Sequence, residues 1–135
     1  MHKHVLIPVA LDHESVVPGK LAVARRLLAE GGRITLLTVL ADVPGFVAEF
    51  VDIKPANHLT QRIKAKLDEV AGGAKDVATE VVTGKAGVRI ARYAEEKDVD
   101  LIVVGSHHPT AQDYFLGSTA SRVARRAPCS VYILR

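Results

Sequence analysis

Leu101-Ile-Val-Val-Gly105-Ser-His-His-Pro-Thr-Ala-Gln-Asp-Tyr-Phe-Leu-Gly117-Ser-Thr119 places an apolar run, a polar loop and a Gly-Ser-Thr helix opening in direct succession. Consecutive aliphatic residues without alternation suit a strand covered on both faces. A helix beginning at Ser118 leaves its first backbone N–H groups without intrahelical acceptors and carries partial positive charge at that end. Gly117 admits close approach to the backbone, and Ser118 and Thr119 add hydroxyls, so the junction suits phosphate. The same residues also make an ordinary N-cap. The segment alone leaves both readings open.

Working outward, His4 to Val9 is a second nearly continuous apolar run, a strand ending about Pro8. Val16 to Glu30 carries Val17, Leu21, Ala24 and Leu28 at helical spacing, with Lys20, Arg25 and Arg26 elsewhere on the circumference and Gly31-Gly32 as the stop. Arg33 to Leu40 is β-branched and apolar, and His58 to Val70 reads as a helix before Gly72-Gly73. Thr79 to Thr83 is a more polar strand suited to an edge, and Gly84 precedes a helix carrying Val88, Ala91 and Ala94. Ser118 to Arg126 gives the last helix and Ser130 to Arg135 the last strand. This βαβαβαβαβ alternation, with right-handed crossovers, predicts an α/β fold: one doubly wound five-stranded parallel sheet of order 3-2-1-4-5, Rossmann-like, with helices on both faces. Strands one and four are then central neighbours, and ligands bind such sheets in the crevice at the carboxyl ends of those strands.

The 135 residues and 48% hydrophobic content suit one domain, 1–135. No apolar run is long enough for a membrane span, and the start has no signal-peptide layout, so a cytoplasmic protein is expected. A single cysteine, Cys129, excludes an internal disulfide and a zinc site built from cysteines alone. The net charge of +3 suits small anions. With 4% aromatic residues and basic residues scattered among acids, nucleic acid is not an expected partner. Arg122, Arg125 and Arg126 read as a solvated helix face, and His2, His4, His13 and His58 as surface positions.

The ordered pieces Val5 to Val9, Leu36 to Val39, Gly84, Asp100 to Ser106, Leu116-Gly-Ser118 and Ala127 to Arg135 resemble the universal stress protein family over essentially the whole chain. The loop is similar to the short variant, Gly-Ser-His-x-Pro with a later Leu-Gly-Ser, of its UspA-like small stress proteins. In the family's nucleotide binders the pattern is Gly, two residues, Gly, nine residues, then Gly with Ser or Thr. Gly105 supplies the first position, His108 stands where the second Gly belongs, and Gly117-Ser118 closes the loop one residue early. Ala10 occupies the place of the family's Asp after the first strand, with Asp12 two residues on, and Ala86 replaces a Pro before the third helix.

The resemblance implies a stress-response protein that binds an adenine nucleotide, ATP or AMP, with Mg²⁺ accompanying a triphosphate. Adenine and ribose would lie between Pro8-Val9 and Val39, beside Ala10 and Asp12, and the phosphates would meet Gly105, His108, Gly117, Ser118 and Thr119. It also implies a homodimer through Ser130 to Leu134, an edge strand alternating Val131 and Ile133 with Tyr132 and Leu134. Two alternatives stand beside it. One is a slow ATP hydrolase or self-phosphorylating protein with Ser106, Ser118 or Thr119 as acceptor, and the other is a family member acting by protein contacts without nucleotide. No catalytic constellation is legible: there is no Gly-x-Ser-x-Gly elbow and no P-loop, and His107, His108 and Asp113 are too close in sequence to converge on one metal ion. Residues 42–57, with two prolines and two Phe, are expected to form a flap over the crevice or a partner contact.

Overall fold

The computed structural model describes residues 1–10, 17–40, 58–106 and 116–135, with the side chains of residues 58 and 59 left out of account. The elements are β1 (His2–Pro8), α1 (Val17–Leu27), β2 (Leu28–Leu40), α2 (His58–Ala71), β3 (Val77–Thr83), α3 (Ala86–Glu96), β4 (Leu101–Gly105), α4 (Ser118–Arg126) and β5 (Ser130–Leu134). They form one five-stranded sheet of order β3-β2-β1-β4-β5, with every described pairing parallel. This is the expected doubly wound arrangement, and β3, the more polar strand, does lie at an edge.

The period of two along each strand sorts the core into two layers. Val5, Ile7 and Val9 with Ile34, Leu36, Leu101 and Val103 face α1 and α2, through Val17, Ala24 and Leu67. Leu6, Leu37, Ile102 and Val104 face the other way, onto Ile90, Tyr93 and Ala94 of α3 and Ala120 and Val123 of α4. Because both faces are covered there, Val5 to Ile7 of β1 and Leu101 to Val104 of β4 are unbroken apolar runs.

Three expectations need correction. The first helix ends at Leu27, not at Glu30, because Leu28 already pairs with His2 in the β1–β2 ladder. Register shifts between His2 and His4, whose partners are Leu28 and Arg33. Gly31, at φ +78°, absorbs the turn, and a Cβ on Gly32 would stand 2.9 Å from the Ala29 carbonyl oxygen. The glycine pair thus bends a strand instead of stopping a helix.

Second, Val88 is exposed, and the buried face of α3 is Gly87, Ile90, Ala91, Tyr93 and Ala94. Gly87 faces α4: a Cβ there would be 2.6 Å from Cβ of Arg122, so only glycine permits this approach.

Third, His4 is buried at 5% exposure. Its Nδ1 lies 3.1 Å from the Lys97 carbonyl and its Nε2 2.8 Å from Thr35 Oγ1. The neutral ring satisfies both when Nδ1–H donates to Lys97 and the Thr35 hydroxyl donates to Nε2. Burial holds its pKa below the ordinary histidine value, with the nearby Arg33 charge adding to the effect. Beside it, Asp100 accepts the backbone N–H groups of Lys3 (2.8 Å) and His4 (3.2 Å), tying β1 to the start of β4. Burial by itself would raise the Asp100 pKa, but these hydrogen bonds more than offset it and the net direction is downward.

Candidate functional site

At the opposite end of the sheet, β1 and β4 finish side by side while their chains leave toward opposite faces, α1 on one and α4 on the other. Among the described residues, a cavity of about 440 Å³ opens at the carboxyl ends of the two strands. Its volume falls within the range of small-ligand sites. Leu37, Val39, Ala86 and Ile90 make an apolar wall on the β2 and α3 side. Pro8, Val9 and Ala10 form the floor, and Val104, Gly105, Ser106, Gly117, Thr119 and Ala120 form the side toward β4 and α4.

The floor is held by main-chain and side-chain hydrogen bonds at the strand ends. Val9 N–H donates to the Leu37 carbonyl at 2.8 Å, and Thr38 Oγ1 donates to the Val9 carbonyl at 3.0 Å. Ser106 N–H donates to the Leu134 carbonyl at 3.0 Å, and Gly117 N–H donates to the Ser106 carbonyl at 2.6 Å. That last bond pins the start of α4 against the end of β4. Gly117, at φ −58° and ψ 153°, caps α4 without a side-chain hydrogen bond. The first-turn N–H groups of α4, whose Thr119 and Ala120 line the cavity, have no acceptor within the helix.

Seven of the residues singled out from the sequence, Pro8, Val9, Ala10, Val39, Gly105, Gly117 and Thr119, line this one cavity. Ser118 opens α4 but is exposed and does not line it. Asp12, His107, His108, Asp113 and the 42–57 segment lie outside the described residues. Among the acceptor candidates, Ser106 is 3% exposed. Among the described residues there is no cluster of three or more metal-binding side chains, and no carboxylate lines the cavity.

Lys20, placed from the sequence among the outward cations of α1, is a lining residue and 7% exposed. Its position shares a face with Val17 and Ala24, three residues before and four after, both fully buried. That spacing was the signal, and the charge masked it. Nζ reaches the Pro8 carbonyl at 3.5 Å, the outer limit of a hydrogen bond. Burial pushes its pKa below the ordinary lysine value. Leu134 and Arg135 also line the cavity, brought there by the last strand.

A doubly wound sheet with a mainly apolar crevice at its switch point, bordered on one side by a helix N-terminus, defines a class of small-ligand-binding α/β proteins. The universal stress protein family model matches residues 1–135, and the chain belongs to that family. It is 28% identical to universal stress protein G of Salmonella typhimurium over the full length of both chains. It is 27% identical to a universal stress protein of Methanothermobacter thermautotrophicus, covering all of this chain and 97% of that one. Among solved structures it is similar to the universal stress protein UspA of Lactobacillus plantarum, at 26% identity and TM-score 0.71, covering 98% of this chain and 97% of that one. A universal stress protein solved in complex with cAMP has the same fold, at 20% identity and TM-score 0.71, covering 99% and 97%. No helix among the described residues is long and apolar enough to cross a membrane.

Proposed function

We propose that this chain binds an adenine nucleotide, ATP or AMP, in the crevice and acts in the cytoplasmic stress response through ligand-dependent protein contacts, without fast turnover. The observation that carries the reading is the division of one cavity into an apolar wall and a wall built on the α4 N-terminus. A purine packs between Val9 and Val39, and anionic oxygens meet the helix N–H groups at Thr119 and Ala120. A relative of the same fold is solved with cAMP, itself an adenine nucleotide. A Mg²⁺ ion accompanying ATP would take oxygen ligands from the triphosphate and water. Titration calorimetry with ATP, AMP and GTP tests the reading: heat with the adenine nucleotides is expected, and no heat at millimolar concentration defeats it. Labelled ATP tests the non-enzymatic part, which a turnover of several per second, abolished by one substitution, overturns.

The homodimer belongs to the same proposal. β5 is a sheet edge carrying half-buried Val131 and Ile133 and Tyr132 at 40% exposure, and self-pairing about a two-fold axis covers both its backbone groups and this surface. Sedimentation equilibrium at high micromolar concentration is expected to show a dimer that Val131→Lys with Ile133→Lys dissociates. A wild-type monomer, or a variant that still dimerises fully, refutes it.

A further inference from the structure

Lys20 is the residue of the crevice that its fold alone does not explain. A lysine costs free energy to bury unless its charge is met, yet this one is more than nine-tenths buried. An ammonium has three hydrogens to place. Among the described residues its hydrogen bond is the single 3.5 Å contact to the Pro8 carbonyl, which leaves most of that capacity unused. The side chain is aimed at Gly105: a Cβ built there would lie 3.6 Å from Cε and 3.7 Å from Nζ. Gly105 has no such atom, so the ammonium borders the cavity across the end of β4.

The placement relative to α4 matters as much. α1 packs on one face of the sheet and α4 on the other, so Lys20 and the α4 N-terminus reach the carboxyl ends of β1 and β4 from opposite sides. A tetrahedral anion over Gly105 meets a full positive charge on one side and unpaired helix N–H groups on the other. The apolar wall of Leu37, Val39 and Ile90 lies across the cavity, where a base packs without a charge beneath it.

We propose that Lys20 anchors the phosphate nearest the nucleoside, making the crevice selective for phosphorylated over unphosphorylated adenosine. This rests on the nucleotide reading above and adds to it a residue and a selectivity.

The test compares AMP with adenosine by titration calorimetry. Wild-type protein is expected to favour AMP by at least about tenfold, the size of a hydrogen bond to a charged group in a site shielded from water. Lys20→Met and Lys20→Gln should bring the two affinities to within about threefold of each other by weakening AMP and leaving adenosine nearly unchanged. Gly105→Ala gives a second route that leaves Lys20 in place. Its methyl would rest at ordinary contact distance from Cε and Nζ, shield the ammonium and weaken AMP more than adenosine.

Equal wild-type affinities overturn the inference alone, and so do folded Lys20 variants that keep the full preference, since the charge is then met within the chain. Folded variants that lose adenosine together with AMP overturn it too, because the lysine then holds the nucleoside. Wild-type protein that binds neither compound overturns the nucleotide reading and this inference with it.

Discussion

Buried His4 at the amino end of the sheet and buried Lys20 at the carboxyl end are held in opposite ways. At the amino end, His4 has a partner for each ring nitrogen and Asp100 accepts two backbone N–H groups, so the polar atoms there are spent on holding β1, β2 and β4 in register. At the carboxyl end, Lys20 has one long contact among the described residues and α4 begins without a side-chain cap. A polar group that is buried and satisfied stabilises the fold, whereas one left partly unsatisfied beside a cavity is available to a ligand. The molecule therefore separates stability from binding along the strand direction, and substitutions at the two ends should separate in the same way.

The largest effect is expected at the carboxyl end. Gly117→Val should weaken AMP binding by about a hundredfold or more, since a branched side chain blocks the backbone approach at the α4 N-terminus. Its stability in urea denaturation should fall by no more than about 1 kcal/mol, the cost of a poorer N-cap, because φ −58° is accessible to any residue. Retained AMP affinity breaks the assignment of that wall.

At the amino end, His4→Leu should remove the histidine partner of the Lys97 carbonyl and of the Thr35 hydroxyl and cost about 1–3 kcal/mol, with ligand affinity unchanged where the protein remains folded. Wild-type stability should also depend on pH through this residue. The folded pKa of His4 lies below the unfolded 6.5, so the unfolded chain takes up the proton first, and stability present above pH 6.5 is lost as pH falls through the folded value. Urea denaturation from pH 7.5 to 5 should show the decline, and His4→Leu should flatten it. A wild-type profile flat over that range contradicts the buried neutral imidazole.

Between the ends, Gly87→Ala should destabilise by about 1–3 kcal/mol through overpacking against Arg122, partly offset by about 0.5–1 kcal/mol of helix propensity. Thermal unfolding of the free protein measures it, and an unchanged midpoint means that α3 and α4 separate at little cost. The smallest effect is on Lys20 in the absence of ligand: Lys20→Met should raise the midpoint by a few degrees, about 1 kcal/mol, because an under-compensated buried charge is replaced by an apolar chain of similar length. A lowered midpoint would mean that the ammonium is paid for within the chain.

What the sequence by itself determined was the order of elements and, through it, the sheet. The unbroken apolar runs at Val5 to Val9 and Leu101 to Val104 demand cover on both faces, and alternation with helices leaves few topologies. The same logic placed the crevice beyond strands one and four, where Gly105 lies; Pro8 and Val39, which the family resemblance implied, line the same cavity. Tertiary structure alone decided how polar residues are used. Histidine and lysine carry no mark in the sequence that tells a solvated position from a buried one, and what decides is whether a partner or a cavity stands opposite once the layers are packed. His4 meets Lys97 and Thr35 across strand and helix ends, while Lys20 lines the cavity beside Gly105. The Gly31-Gly32 pair behaves alike: glycine permits a stop or a bend, and the pairing of Leu28 with His2, a contact far apart in sequence, selects the bend.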